Sequence, residues 1–213
     1  MPKKFAFLLA TACLIAPHAN AATVRTLEEE LRLETGEILD LDLPVGELKL
    51  RGTSDSKAEI VVEIECKRSR RRCERAAEDL ELRTRKRGDN LLVELDGWPT
   101  WGTSGLSVTV TVNVPDGHPV IIDMGVGKVD VRGLKFDLTI DLGIGDVEVE
   151  MDAEFVHSVI LDSGIGKSSA AFEGQRIAGK HSFLGDKVRW SEGEGNARIR
   201  IALGIGAIDV DLD

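Results

Sequence analysis

The sequence predicts an all-β protein: a single-chain β-solenoid (β-helix-like) of Gly-x-Gly rungs about 18–21 residues long, with one short helix in the N-terminal half. Three observations carry that expectation. A Gly-x-Gly unit recurs at near-constant spacing in the second half. Apolar residues alternate at period two on either side of it. Aromatics make up only 4% of the chain and Tyr is absent, so a core of Val, Ile and Leu is implied.

The repeats come first. IIDMGVGKVDVRG starts at Ile121, TIDLGIGDVEVEM at Thr139, VILDSGIGKSSAAF at Val159 and RIALGIGAIDVDLD at Arg200. HSFLGDKVRW, from His181, reads as a degenerate copy. The first glycines are Gly125, Gly143, Gly164 and Gly204, with Gly185 in the degenerate copy, giving spacings of 18, 21, 21 and 19 in chain order. Val129 and Val131, Val147 and Val149, and Ile208 and Val210 recur at period two, the pattern of half-buried strands. The expected bends are Gly125-x-Gly127, Gly143-x-Gly145, Gly164-x-Gly166 and Gly204-x-Gly206, where glycine permits positive φ or close backbone approach. The aliphatic residue between each pair (Val126, Ile144, Ile165, Ile205) is expected to point inward. A period near 20 suits a solenoid coil whose rungs bury their faces on one another.

Within one copy, SGIGKSSA resembles a nucleotide phosphate loop. The pattern requires a further glycine where Leu161 stands. Other copies carry Lys128, Asp146 or Ala207 in place of Lys167, which a phosphate-binding lysine does not tolerate. The match is a by-product of the repeat. A calcium-binding β-roll fails on register, because Val129, Val147 and Ile208 occupy the position that needs Asp. Asp123, Asp141 and Asp162 do recur two residues before the first glycine, but stacked like charges ordinarily just face water. No metal or cofactor is expected.

The N-terminus reads as a secretory signal. Lys3 and Lys4 precede an apolar run from Phe5 to Ala16, and Ala19-Asn20-Ala21 is a cleavage site. Cleavage after Ala21 would leave a periplasmic or secreted protein. Lipid attachment at Cys13 is the weaker alternative. The run is too short to span a bilayer and nothing later approaches about 20 apolar residues. Export also argues against nucleotide chemistry, since the bacterial periplasm holds essentially no ATP. The remainder divides into a β-rich part, 22–119, and the repeats, 120–213, or forms one continuous domain. Cys66 and Cys73 are an even pair in an oxidising compartment, which suggests a structural disulfide.

In the first half, GEILDLDLPVGELKLRG (residues 36–52) resembles a diverged first rung, with Leu39, Leu41 and Leu43 alternating before Gly46. AEIVVEIEC is a strand. A helix is expected over about 68–80, where Ala76, Ala77 and Leu80 can form a stripe. LELRTRKRGDNLLVELDG reads as a hairpin turning at Arg87-Gly88-Asp89-Asn90. LSVTVTVNVPDG, from Leu106, is the clearest strand and ends at Pro115-Asp116-Gly117.

Net charge is −10, and losing Lys3 and Lys4 makes it more negative, which disfavours nucleic-acid binding. Against that background residues 66–87 hold ten basic and four acidic side chains. They form either a solvated face or a dock for an anionic partner; Arg68, Arg70, Arg71 and Arg72 are its candidate contacts. Trp98 and Trp101 sit in a loop of Gly, Pro, Thr and Ser, either to stack on a sugar or protein, or to cap the core. His157-Ser158 and His181-Ser182 are adjacent, so on a strand their side chains diverge and build no nucleophile–base pair. His118 has no catalytic motif around it, and no catalytic residues are assigned. The strand DVDLD leaves an edge able to pair with another copy.

These features together resemble a bacterial putative-adhesin family of unknown function, with autotransporter-adhesin-head-like and toast-rack-like β-solenoid domains. The matching stretches are GELKLRG, the helix before the hairpin, LSVTVTVNVPDG, GVGKVDVRG and GIGDVEVE. The resemblance implies a non-catalytic envelope protein, an interaction or scaffold module whose partner is an envelope protein or glycan. A carbohydrate-active enzyme (polysaccharide lyase or hydrolase) and a surface adhesin are the alternatives. The basic cysteine-bearing helix and the Trp98/Trp101 loop depart from the pattern.

Overall fold

The computed structural model describes residues 22–67, 70–99, 105–181 and 184–213. The expected signal segment and Cys13 lie outside them. The elements in chain order are β1 (Ala22–Leu31), β2 (Ile38–Thr53), β3 (Ala58–Cys66), α1 (Arg70–Glu78), β4 (Glu81–Arg87), β5 (Asn90–Asp96), β6 (Leu106–Pro115), β7 (Val120–Arg132), β8 (Leu138–Met151), a 3₁₀ turn (Ala153–Phe155), β9 (Val156–Phe172), β10 (Gln175–Arg176), β11 (Gly179–His181), β12 (Asp186–Trp190) and β13 (Ala197–Leu212). The protein is all-β with one short helix. Relative to the expected 68–80 the helix stops short at its C-terminal end, at Glu78, and residues 68 and 69 lie outside the described residues.

All thirteen strands belong to one open, mixed sheet, ordered β1-β3-β6-β2-β7-β8-β13-β9-β12-β11, with β10 on β9 and the β4–β5 hairpin on β2. Its centre is the parallel run β2-β7-β8-β13-β9. Register there aligns like with like. Leu41, Ile122, Ile140, Ile201 and Leu161 form one buried column, and Leu48, Val129, Val147, Ile208 and Ser168 another. Each large aliphatic so buried contributes roughly 1.5–3 kcal/mol. A single hydrophobic cluster runs from Leu31 to Leu212.

Each long strand folds at its glycines. In β8 the inward residues are Leu138, Ile140 and Leu142 before the bend, and Val147, Val149 and Met151 after it. The parity changes across Gly143-Ile144-Gly145, so both halves of one strand face the same core. The residue between the glycines is therefore turned out, contrary to the expectation. Val126, Ile144, Ile165 and Ile205 are 43%, 48%, 49% and 46% exposed and form an aliphatic ridge along the fold.

The glycines stack as backbone on backbone. A Cβ on Gly145 would lie 1.7 Å from the Gly127 carbonyl oxygen, and one on Gly206 1.7 Å from that of Gly145. Gly145 has φ 146° and Gly206 φ 143°, a region L side chains rarely adopt. Gly46 continues the column into β2, in register with Gly127.

Two further sequence expectations are corrected. HSFLGDKVRW is not a rung: β12 runs antiparallel to β9 and pairs on its other side with β11. Strand DVDLD is not an edge, because β13 lies between β8 and β9, paired to both. The chain thus does not climb from strand to strand in sequence order. Among the described residues the main sheet path ends at β1 and β11.

Gly145→Ala is expected to lower stability by about 2–4 kcal/mol, from strain and overlap with Gly127. Ile144→Ser, one residue away and facing solvent, should change it by less than about 0.5 kcal/mol. Urea denaturation midpoints would show this contrast; equal losses would refute the outward ridge.

Candidate functional site

The sheet splits at β2. Before the bend, Ile38–Asp42 pairs with β5; after it, Glu47–Thr53 pairs with β6. The changeover spans Pro44, which occupies the first-glycine position of the repeat, and Gly46. A Cβ on Gly46 would lie 2.7 Å from the Val108 carbonyl oxygen of β6. The β4–β5 hairpin joins the sheet through β5 and turns at Gly88-Asp89, beside Ile38 at the other end of that pairing. Gly88 has φ 65° at the first position, as a II′ hairpin turn requires.

Beside the split is a groove of about 680 Å³. Asp42 and Pro44 of β2, Arg83 and Arg85 of β4, Glu94 and Asp96 of β5, and Trp98 line it. Trp98 is half-buried against the core. An Arg83 Nη–H donates to Asp96 at 2.7 Å, and one of Arg85 to Glu94 at 2.7 Å. Glu81, then Asp96, hold the Arg83 guanidinium above its ordinary pKa. The walls thus present one indole and two ion-paired forks.

The other candidates separate. Trp101 and Arg68 lie outside the described residues, as does the Arg70 side chain. Arg71 and Arg72 are exposed on α1. That helix is tied to β3 by the Cys66–Cys73 disulfide. Its C-terminal end is held by Arg25 of β1, whose Nη1–H groups donate to the carbonyls of Ala77, Glu78 and Leu80, each at 2.8 Å. A cation there satisfies orphan carbonyls and complements the helix dipole. Nothing in the local sequence around Arg25 signals this cap. The basic stretch is not one patch: Arg83, Arg85 and Lys86 are ion-paired on the hairpin, the last to Glu34 at 2.6 Å and Glu37 at 3.2 Å.

Asp42, Asp123 and Asp141 are in-register neighbours, but Ala202 of β13 comes between Asp141 and Asp162. Asp162 receives Lys187 at 2.6 Å. Among the described residues no group of three or more His, Cys, Asp or Glu is disposed to hold a metal. His118 Nδ1 lies 2.9 Å from the Glu37 carbonyl oxygen and His157 Nδ1 3.0 Å from that of Gly193, backbone-tying positions. SGIGKSSA turns out to line the last parallel strand. Ser163 and Ser168 are buried where other strands carry aliphatics, and Asp186 plugs that end: its N–H donates to Ser163 Oγ at 3.0 Å and its Oδ2 accepts the Ser168 N–H at 3.3 Å.

No protein-family model matches the chain, and no curated protein matches it. Among solved structures it is similar to a putative cell adhesion protein from Clostridium sporogenes, at 14% identity and TM-score 0.50, over 89% of this chain and 100% of that one. A putative adhesin from Bacteroides fragilis aligns over 88% of this chain and 97% of its own at 10% identity and TM-score 0.29. A putative lipid binding protein from Parabacteroides distasonis aligns over 88% and 97% at 8% identity and TM-score 0.27. The likeness to the first is one of fold, and the scores of the other two are too low to argue from. The fold shared with the Clostridium sporogenes protein is in line with the resemblance that the repeats suggested. Among the described residues no helix is long and apolar enough to cross a membrane, and the disulfide fits an oxidising compartment.

Two outcomes follow. Partial desolvation first, then the carboxylates of Asp40, Asp141 and Asp42, raises the carboxyl of surface Asp123 from its ordinary value. The folded state is therefore favoured while Asp123 is protonated, below its ordinary value of 3.8, and that advantage is lost as pH rises through the raised folded value. Asp123→Asn should raise the melting temperature at neutral pH and barely change it below about pH 3; an equal shift at both would exclude ionisation as the cause. Replacing Cys66 and Cys73 together by Ala should cost about 2–3 kcal/mol in denaturant unfolding.

Proposed function

We propose that the protein is a non-catalytic interaction module of the cell envelope, exported with cleavage after Ala21, whose stacked parallel strands act as a solenoid-like scaffold. On this reading residues 22–213 work as one continuous unit, since β2 of the first half seeds the column that the repeats extend. The binding site is the groove at the β2 split, and its ligand is an envelope glycan. The observation that supports the site is Trp98 lying half-buried beside the Arg83–Asp96 and Arg85–Glu94 pairs. An indole face suits the apolar side of a sugar ring, and charged forks suit its hydroxyls.

A carbohydrate-active enzyme on the same groove is the second reading, favoured by the convergence of Asp42, Glu94 and Asp96 there. Against it, Glu94 and Asp96 are each engaged by an arginine.

The test probes immobilised envelope polysaccharides with the mature protein and its Trp98→Ala variant, folding of both checked by circular dichroism. Binding by the native chain that weakens tenfold or more in the variant is expected, as for an aromatic anchor. Equal retention by both would return Trp98 to a packing role. Release of new reducing ends would make the chain an enzyme.

A further inference from the structure

We propose that a second cleft, which shares no lining residue with the Trp98 groove, binds an organic ammonium ion with an apolar body. The cleft, of about 540 Å³, is enclosed by the β6–β7 and β7–β8 turns, the 3₁₀ turn and the β12–β13 connection. That volume is in the range of small-molecule sites. Pro119, Phe136 and Phe155 supply apolar and aromatic surface; Asp116, Asp137 and Glu154 supply the charge, against Lys135 alone. Phe136 is 40% exposed, an unusual place for a large aromatic side chain in a turn.

Lys135 shows the chemistry the cleft accepts. Its ammonium donates to Asp116 Oδ2 at 2.8 Å and lies 5.6 Å from the centre of the Phe155 ring. A carboxylate together with an aromatic face is the arrangement that recognises ammonium groups. Asp116 first, then Asp152 and Glu154, favours the charged form of Lys135. The Phe155 backbone is fixed, its carbonyl accepting the Asn196 N–H at 2.9 Å. Asp137 is likewise held, its Oδ1 accepting the Arg198 N–H at 2.8 Å. Glu154 has no ion pair among the described residues. An incoming ammonium takes the place of Lys135 over Phe155, and its alkyl body lies along Phe136 and Pro119. Such a group is carried by a free polyamine or by a lysine side chain of a partner protein.

The test uses the mature protein with Phe ring signals followed by NMR. The probes are spermidine, an acetylated and amidated Gly-Lys-Gly peptide, a neutral alkanediol of spermidine's length, and ammonium chloride at matched ionic strength. Saturable shifts of Phe136 and Phe155 are expected with spermidine, the peptide or both; which of them binds identifies the source of the ammonium. Phe136→Ala and Glu154→Gln, both at exposed positions, should each weaken binding several-fold, while Trp98→Ala leaves it unchanged. Lys135→Gln should tighten it about three- to fivefold by removing the internal competitor. The proposal is overturned if no probe saturates, if the diol or ammonium chloride matches spermidine, or if neither cleft variant alters binding.

Discussion

The fold depends on the distance between backbones at the bends. Where five strands turn together, each second glycine sits against the carbonyl oxygen of its neighbour with no room for a single carbon. That contact sets the register, because a slip of one residue would drive a side chain into the column. It also sets the shape. With both halves of every strand facing inward, one core is closed on two sides by a single folded sheet. The hydrophobic columns then supply most of the stabilisation, but only in the register the glycines allow.

The two ends of this column are finished differently. At β2 proline replaces the first glycine and the sheet parts into two neighbours, β5 and β6, leaving the groove beside Trp98. At β9 serines replace the inward aliphatics and Asp186 plugs the opening. One end is thus opened to a groove and the other is closed by Asp186, bonded to the Ser163 hydroxyl and the Ser168 N–H. The acidic residues on the outside vary in how they are balanced. Asp162 is met by Lys187, whereas Asp123 stands among its own kind.

Much of this architecture was legible in the sequence, because strand alternation and glycine spacing are local signals. The strand Ile38–Thr53, the hairpin turn at Gly88-Asp89 and the clearest strand at Leu106–Pro115 all emerge where alternation and turn residues agree. Neighbour choice was not legible. Every copy of the repeat offers the same pattern of side chains, so nothing local tells β13 to pair with β8 rather than to follow β9. The outward turn of Ile144 was hidden for a related reason: period-two counting assumes a straight strand, yet Leu142 and Val147 are both inward across an odd separation. The groove draws on β2, β4 and β5; the sequence singled out Trp98 and the basic stretch that holds Arg83 and Arg85, but not their convergence with Asp42, Glu94 and Asp96. The Arg25 cap is a contact across more than fifty residues of chain, invisible to any short window.

The position of β13 has a consequence for how the molecule is made. Its slot lies between two strands that precede it in synthesis, so the sheet between β8 and β9 is complete only once residues 197–212 are made. Until then β8 and β9 each lack the partner that β13 supplies on that side. Such edges recruit whatever extended chain is nearby, and pairings between distant segments are slow to form. The centre of the sheet is therefore completed late, and β13 acts as a keystone that joins the flanks on either side of it.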